Sequence, residues 1–410
     1  MVDENGKGNE KEAARESIPR LLSLLNGVEK LELSHFSMEI GDLEFWIPTG
    51  TTPVSACNSY PVTEKIKPRS LLPATFSPPH EEFIGRIHEV KLGATRTEGG
   101  SRGTSLVIGG ADSPPFVYTD KPPAHLPVFA LDVFDMDVAL PKVLRSGIEE
   151  VMHDPAEWAR LNVKKFGADM VSIHLMSTDP LIRDTSPRDA ARTVEDILQA
   201  VDVPLIIGGC GDPRKDAQVF TKVAEAASGE RVLLNSVTLD MTEAKTLEGV
   251  ALAAKEHGHA VLGFTGLELN KAKELNRRLY EYLPAESIVM DLTTVALGYG
   301  LEYSFTIHER ARHAALMGDT ELQHPTISAS TNAWAAREAW MQMDAQYGPR
   351  ELRGPLWETL NALTLLFAGV DLFMMMHPAA TRTLKDMVNM LMQQNVALPD
   401  QIAHWATMKI

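Results

Sequence analysis

A series of short apolar runs in this chain ends in small or polar residues, and those ends carry the side chains able to do chemistry. In chain order they are Asp132, His174, the stretch Gly208-Gly209-Cys210-Gly211-Asp212, Asn235-Ser236, Phe264-Thr265, Asp291 with Thr293 and Thr294, Ser328 to Asn332, and Met375-Met376-His377. The set is small, polar and largely neutral, with two or three carboxylates. Asn, Thr and Ser offer hydrogen-bond donors and acceptors, and Gly lets backbone approach a ligand closely. No basic cluster for phosphates and no obvious nucleophile–base pair stands out. Such an inventory suits recognition of a large ligand fringed with polar groups rather than acid–base attack.

The candidate ligand contacts are Asp132, His174, Gly208, Gly209, Asn235, Thr265, Asp291, Thr293, Asn332 and His377. Several have a plainer reading. Asp132, a strand-end carboxylate, can simply accept backbone amides, and His174 can be a satisfied core histidine. Gly208 and Gly209 can relieve crowding in a turn, and Cys210 can be an inert small hydrophobe. Asp291 and Asn332 are the two that packing alone explains least.

These residues need elements to position them. The chain has 410 residues, and strand-like runs at 128–133, 170–174, 204–207, 231–235, 260–264, 288–292, 326–329 and 370–375 alternate with helical periodicity at 155–166, 187–201, 216–227, 242–256, 267–283, 303–317 and 333–346. Strands alternating with helices in this number predict a (β/α)8 TIM barrel, whose working face is the C-terminal ends of its strands. A doubly wound open sheet is the runner-up, but it would carry a ligand fingerprint at its first strand–helix turn, and none is there. No Gly-x-Gly-x-x-Gly, Walker A or His-Glu-x-x-His pattern occurs. His257 and His259 fall between a helix and a strand, as a connecting turn would place them.

Four segments follow: an N-terminal extension (1–80), a β-hairpin with a Pro-rich lead-in (81–126), the barrel (127–390) and a C-terminal tail (391–410). Within the extension, residues 1–16 read as frayed, a short helix begins near Ser17, 31–48 alternates like strands, and prolines make 48–80 irregular. In the hairpin, Val90, Leu92 and Ala94 alternate with polar or small residues, and the turn TEGGSRG leads to SLVIGG. The turn needs glycine for its backbone; the alternative is an anion site built from Arg96, Arg102 and amides. His308 and Arg312 share a helix face at i, i+4, read as the solvated outside of the barrel, with a partner-contact face as the alternative.

The net charge of −16 disfavours broad binding to nucleic acid or anionic membranes. The longest apolar run, at 370–376, is strand-sized rather than membrane-spanning, and its methionines read as core filler. The polar N-terminus is no signal peptide, so a cytoplasmic protein is expected. Two cysteines, Cys57 and Cys210, are too few for an iron–sulfur cluster, a zinc ribbon or a disulfide framework.

The run DLTTVALGYGLEYSFTIHERARHAALMGD (291–319) closely resembles the family of corrinoid iron–sulfur protein small subunits, whose archaeal members are the delta subunits of the acetyl-CoA decarbonylase/synthase complex. Matches at 90–110, 129–135, 204–216, 331–340 and 365–378 extend the resemblance over roughly residues 85–380. The long extension is more like the archaeal version; residues 1–80 themselves match nothing recognisable.

The resemblance implies a barrel similar to pterin-dependent methyltransferases. It implies a heterodimer with a larger gamma subunit, which carries a [4Fe–4S] cluster and a cobamide-binding domain, with the corrinoid (cobamide) lying between that domain and this barrel's mouth. It further implies that a methyl group moves between a tetrahydropterin of the tetrahydrosarcinapterin type, or its methyltransferase, and acetyl-CoA synthase. The CO dehydrogenase subunits are implied as further partners, and the subunit also helps maintain the quaternary structure of the complex. On this view the chain is an accessory subunit, catalytically silent alone, and cobalt supplies the nucleophile and the carrier.

The residues agree on three counts. The cluster must sit on another chain. None of the thirteen histidines belongs to an Asp-x-His-x-x-Gly cobalt-ligating signature, which fits a corrinoid with no lower ligand from this chain. A neutral polar mouth suits a ring whose rim bears amides. Two other readings stay open: a free-standing pterin-dependent methyltransferase holding its pterin through Asp291 and Asn235, and a purely structural subunit whose mouth a partner covers without touching cofactor.

Overall fold

The computed structural model describes residues 82–115 and 123–392. The expected short helix near Ser17, the alternating run at 31–48 and the C-terminal tail from 393 lie outside the described residues. The chain divides into two units, Met1–Thr75 and Phe76–Ile410, and the following concerns the second alone.

The hairpin is β1 (Glu89–Leu92) paired antiparallel with β2 (Leu106–Gly109). The barrel strands follow as β3 (Val128–Phe134), β4 (Met170–His174), β5 (Leu205–Gly208), β6 (Leu233–Val237), β7 (Ala260–Phe264), β8 (Ile288–Asp291), β9 (Thr326–Ala329) and β10 (Leu372–Met375). They are parallel and close in sequence order, β10 pairing back onto β3 through Leu372 opposite Val128. The predicted (β/α)8 barrel is therefore the observed fold, with most strand ends within one or two residues of expectation.

Helices α1 (Lys142–Arg145), α2 (Pro155–Lys164), α3 (Pro187–Ala200), α4 (Pro213–Ala226), α5 (Leu239–Glu243), α6 (Leu247–His257), α7 (Leu269–Leu279), α8 (Leu301–Leu316), α9 (Arg350–Phe367) and α10 (Pro378–Met392) surround the strands. Three begin alike. Asp154, Ser186 and Asp212 cap the N–H groups of α2, α3 and α4, each followed by proline at the first helical position. The cap satisfies orphan donors and the proline presets φ, so both local choices agree with the fold.

Strand alternation divides the core. Val133, Ile173, Ile207 and Leu234 face outward against Ala190, Val194, Phe220 and Val250 of the helices. Val128, Ala130, Met170, Ile206, Leu233, Leu262, Val289, Ile327 and Leu372 face inward and pack with Val90, Leu92 and Ile108 of the hairpin. The hairpin thus stoppers the N-terminal end of the barrel. Arg231, just before β6, fastens it: its guanidinium donates to Lys91 O at 3.0 Å, and its own carbonyl accepts Gly93 N–H at 2.8 Å.

Three expectations change, and one alternative falls away. The helix expected at 242–256 is two, α5 and α6, separated at Lys245, whose φ of 60° breaks the right-handed run. The segment expected as a helix at 333–346 is a series of 3₁₀ turns, Ser330–Ala335, Arg337–Ala339 and Ala345–Tyr347, and the true helix is α9. Trp334 and Trp340 account for it: the Trp334 indole spends its N–H on Glu358 of α9, and the Trp340 indole folds back within the segment onto Trp334 O. His308 and Arg312 are buried rather than solvated. Arg312 donates to Gly369 O and to the Asp371 carboxylate, so this face of α8 braces the start of β10. Arg102 is likewise committed: it pairs with Glu230 at 2.7 Å and caps Val201 O and Leu198 O, leaving it no role in an anion site.

Candidate functional site

The C-terminal strand ends form the mouth. On β3 and β4, alternation turns Asp132 and His174 inward. His174 Nε2 lies 3.1 Å from Asp132 Oδ1, at ion-pair distance but without hydrogen-bond alignment. Both Asp132 oxygens are buried, and apart from the His174 imidazole they meet no donor among the described residues. Burial pushes the His174 imidazole down, but the charge of Asp132, and behind it Asp135, outweighs this and leaves its pKa above the ordinary value. The ring also stacks on Phe134, with centroids 5.0 Å apart. His174 is therefore half of a charge-coupled pair at the strand ends.

Asn235 ends the regular part of β6, where the register shifts between Asn235 and Val237. Its amide nitrogen and the Ser172 hydroxyl both approach Met374 Sδ, at 3.6 and 3.3 Å. Sulfur is a weak acceptor, so these groups keep most of their bonding capacity. Met374 and Met375 are buried, as core filler should be.

On the opposite side, Asp291 accepts Thr293 N–H at 2.8 Å, and burial pushes its carboxyl up to about 6. Thr293 has a φ of 82°, which a β-branched residue rarely adopts, and its hydroxyl donates to Thr265 O at 2.9 Å. Thr265 Oγ1 is buried with no partner among the described residues. Asn332 donates to Thr294 O at 3.0 Å, and Thr294, Ser328 and Ser330 join their hydroxyls behind it.

His377 stacks on Trp334, and its Nδ1 accepts Ala379 N–H at 3.1 Å as a cap for α10. Burial lowers its pKa to about 4, so it is neutral at pH 7.

The glycine pair divides. At Gly208 an added Cβ would lie 3.1 Å from Ile173 O and 3.6 Å from His174 Nδ1, beside the charged pair. At Gly209 it would lie 2.4 Å from the Asp216 carboxyl, which accepts the N–H groups of Cys210 and Gly211, both at 2.8 Å. Gly209 thus makes room for a turn-holding carboxylate. Cys210 Sγ also approaches Asp216, at 3.2 Å, and burial raises the thiol's pKa, leaving it unreactive. Asp212 is spent as the cap of α4.

Two residues of the mouth escape a search of strand ends. Asp135 accepts the Ser177 N–H and hydroxyl at 3.0 and 2.5 Å, tying two loops together. Glu358, on α9, is buried and accepts from Trp334 Nε1 at 3.0 Å, His377 N at 2.9 Å and Met376 N. Burial, reinforced by Asp132, pushes its carboxyl up to about 8 against the pull of those donors. The available signal was an acidic residue on the apolar stripe Ala362, Leu365, Leu366, visible only once 350–367 is read as a helix.

Among the described residues no group of three or more His, Cys, Asp or Glu side chains is placed to hold a metal ion, and no helix is long and apolar enough to cross a membrane. The mouth offers buried acceptors, one coupled imidazole and a few loosely committed amides and hydroxyls. That chemistry fits a ligand edge rich in N–H groups.

The closed ring of eight parallel strands with its surrounding helices defines a (β/α)8 barrel, the class whose C-terminal face ordinarily carries the working site. The family of CO dehydrogenase/acetyl-CoA synthase delta subunits matches residues 89–348, and the chain belongs to that family. It is 51% identical to the acetyl-CoA decarbonylase/synthase complex subunit delta of Archaeoglobus fulgidus, over 81% of this chain and 74% of that one. The delta 1 subunit of Methanosarcina thermophila is 45% identical, over 94% and 89%. The delta subunit of Methanothermobacter thermautotrophicus is 44% identical, over 90% and 92%. Among solved structures, a dihydropteroate synthase from Coxiella burnetii in complex with pteroic acid is similar at 14% identity and a TM-score of 0.44, covering 66% of this chain and 95% of that one.

Proposed function

We propose that this chain is the delta subunit of an acetyl-CoA decarbonylase/synthase complex and that its mouth forms one wall of the chamber in which a corrinoid carries a methyl group. The corrinoid would be held jointly with a gamma subunit, which bears the [4Fe–4S] cluster. The methyl group passes between a tetrahydropterin, or its methyltransferase, and acetyl-CoA synthase, with CO dehydrogenase in the same cytoplasmic assembly.

The observation that carries the reading is the buried Asp132 carboxylate, which faces the His174 imidazole at 3.1 Å but has no other donor for its remaining acceptor sites among the described residues, at the mouth of a barrel belonging to this family. A buried acceptor left without a donor is costly, so a ligand supplying N–H groups repays its burial. Thr265 Oγ1 poses the same demand. The amide-fringed rim of a corrinoid meets both, so the residues present fit the group. Asp132, His174, Asn235, Thr265 and Asp291 would hold that rim, with Gly208 giving close approach. When bound, the corrinoid supplies the methyl-carrying metal; the chain's part is to orient the ring and exclude water. Exposed apolar side chains at the strand ends, namely Leu181, Ile182, Leu267 and Tyr299 on the loops after β4, β7 and β8, Phe264 at the end of β7 and Tyr303 in the first turn of α8, support docking of a partner over the mouth.

The test is to co-express the chain with a candidate gamma subunit and isolate the product. A stable pair with a corrinoid absorption spectrum is expected, and the isolated chain should not turn over methyl-tetrahydropterin. Turnover by the chain alone would instead establish a free-standing pterin methyltransferase, and a stable pair whose corrinoid lies away from the mouth would establish a purely structural subunit.

A further inference from the structure

Glu358 lies on a helix outside the barrel, yet every polar contact it makes is to the mouth. Its carboxylate accepts the indole N–H of Trp334, from the turn after β9, and the backbone N–H groups of Met376 and His377, from the turn after β10. These donors come from two loops that otherwise meet mainly through the stacking of Trp334 on His377, with planes 21° apart. One turn earlier on α9, Gly354 leaves the notch into which the indole fits: a Cβ there would lie 2.2 Å from Trp334 Cη2. Trp334 is thus gripped at its ring by the notch and at its nitrogen by the carboxylate. The same 3₁₀ turn carries Ser330 and Asn332, bonded to Ser328 and Thr294, so the grip extends along the wall above β8, β9 and β10.

We infer that Glu358 is a positioning residue of the mouth, whose ionised carboxylate sets the wall formed by Trp334 and His377 by accepting from both loops at once. The inference takes the mouth to be the working face, as proposed above.

The match is specific to the ionised form. Two carboxylate oxygens can accept all the N–H groups aimed at them, whereas a protonated carboxyl turns one oxygen into a donor facing donors. No ion pair joins Glu358 to a cation among the described residues. The titratable groups facing it are Asp132, from β3, which opposes ionisation, and His377, which burial keeps neutral. With burial raising the carboxyl to about 8, its charge changes near neutral pH, and the wall should tighten as pH rises through that value.

The test uses the full chain labelled with 5-fluorotryptophan and followed by fluorine NMR, with the Trp334 resonance assigned by loss in W334F. Of the six tryptophans, Trp334 should titrate with a midpoint near 8, and E358Q should shift its resonance and abolish that titration. In the pair with the gamma subunit, E358Q should also lower corrinoid affinity about tenfold. A Trp334 resonance that E358Q leaves unmoved, or one that titrates identically in E358Q, overturns the assignment; a flat profile from pH ~6 to ~10 in the unaltered chain with the resonance shifted in E358Q supports it, with the carboxylate ionised throughout. The unaltered chain gives its titration even if E358Q fails to fold. A pair that binds no corrinoid would refute the functional reading and leave the NMR result standing.

Discussion

His174 Nε2 sits 3.1 Å from Asp132 Oδ1 across adjacent barrel strands, and this pair is the one charged contact that the strand ends make across the mouth's inner surface among the described residues. Replacing Asp132 by Asn removes the charge that opposes burial, so the His174 pKa should fall below its ordinary value of 6.5. Histidine Cε1 proton shifts followed against pH check this. In the unaltered protein the pair's contribution to stability is full below that ordinary value and fades as pH rises through the raised folded value. The difference in unfolding free energy between the protein and D132N should therefore shrink from acidic to alkaline pH.

Asp291 works in the opposite sense. Its folded pKa of about 6 lies above the free value of 3.8, so the folded state binds the proton more tightly and loses stability as pH rises between the two. Asn keeps an acceptor for Thr293 N–H and carries no charge. D291N should therefore be at least as stable as the unaltered chain at pH 7.5 and should show a flatter profile from about pH 4 to 6. Urea unfolding at several pH values decides it.

Gly209→Ala should destabilise the fold by about 1–3 kcal/mol, because the new methyl meets the Asp216 carboxyl at 2.4 Å. Removing that carboxyl as well, in G209A/D216A, should cost less than the sum of the single changes. Thermal melts of the three variants give the coupling; strict additivity would contradict the clash.

Arg102→Ala should cost about 3 kcal/mol, since it leaves Glu230 without its buried partner and uncaps Val201 O and Leu198 O. Arg102→Lys should recover only part, because an ammonium cannot reach all these acceptors in one plane. Denaturation midpoints of the two variants check the order.

Much of this fold was legible because barrel strands buried on both faces read as short apolar runs, and Asp154-Pro155 and Ser186-Pro187 mark the starts of their helices, whereas Asp212-Pro213 begins its helix three residues before the expected 216. The strand-end rule also brought Asp132, His174, Asn235 and Asp291 to one mouth. It failed where tertiary partners override local composition. The Ala- and Glu-containing stretch 333–346 has helical propensity, but Trp334 and Trp340 are drawn into contacts with and around α9. Gly354 and Pro355 disguise α9 itself, and with it Glu358. His308 and Arg312 misled because a polar pair at i, i+4 looks solvated; both are buried, and the partner that receives the Arg312 charge, Asp371, lies far along the chain.

The hairpin stopper has a consequence for traffic. Val90, Leu92 and Ile108 plug the far end of an interior already filled by Ala130, Ile206, Leu262 and Val289, so no passage runs through the barrel among the described residues. Traffic to Asp132, His174 and Asp291 is therefore confined to the C-terminal face, and incoming molecules and displaced water share one route there.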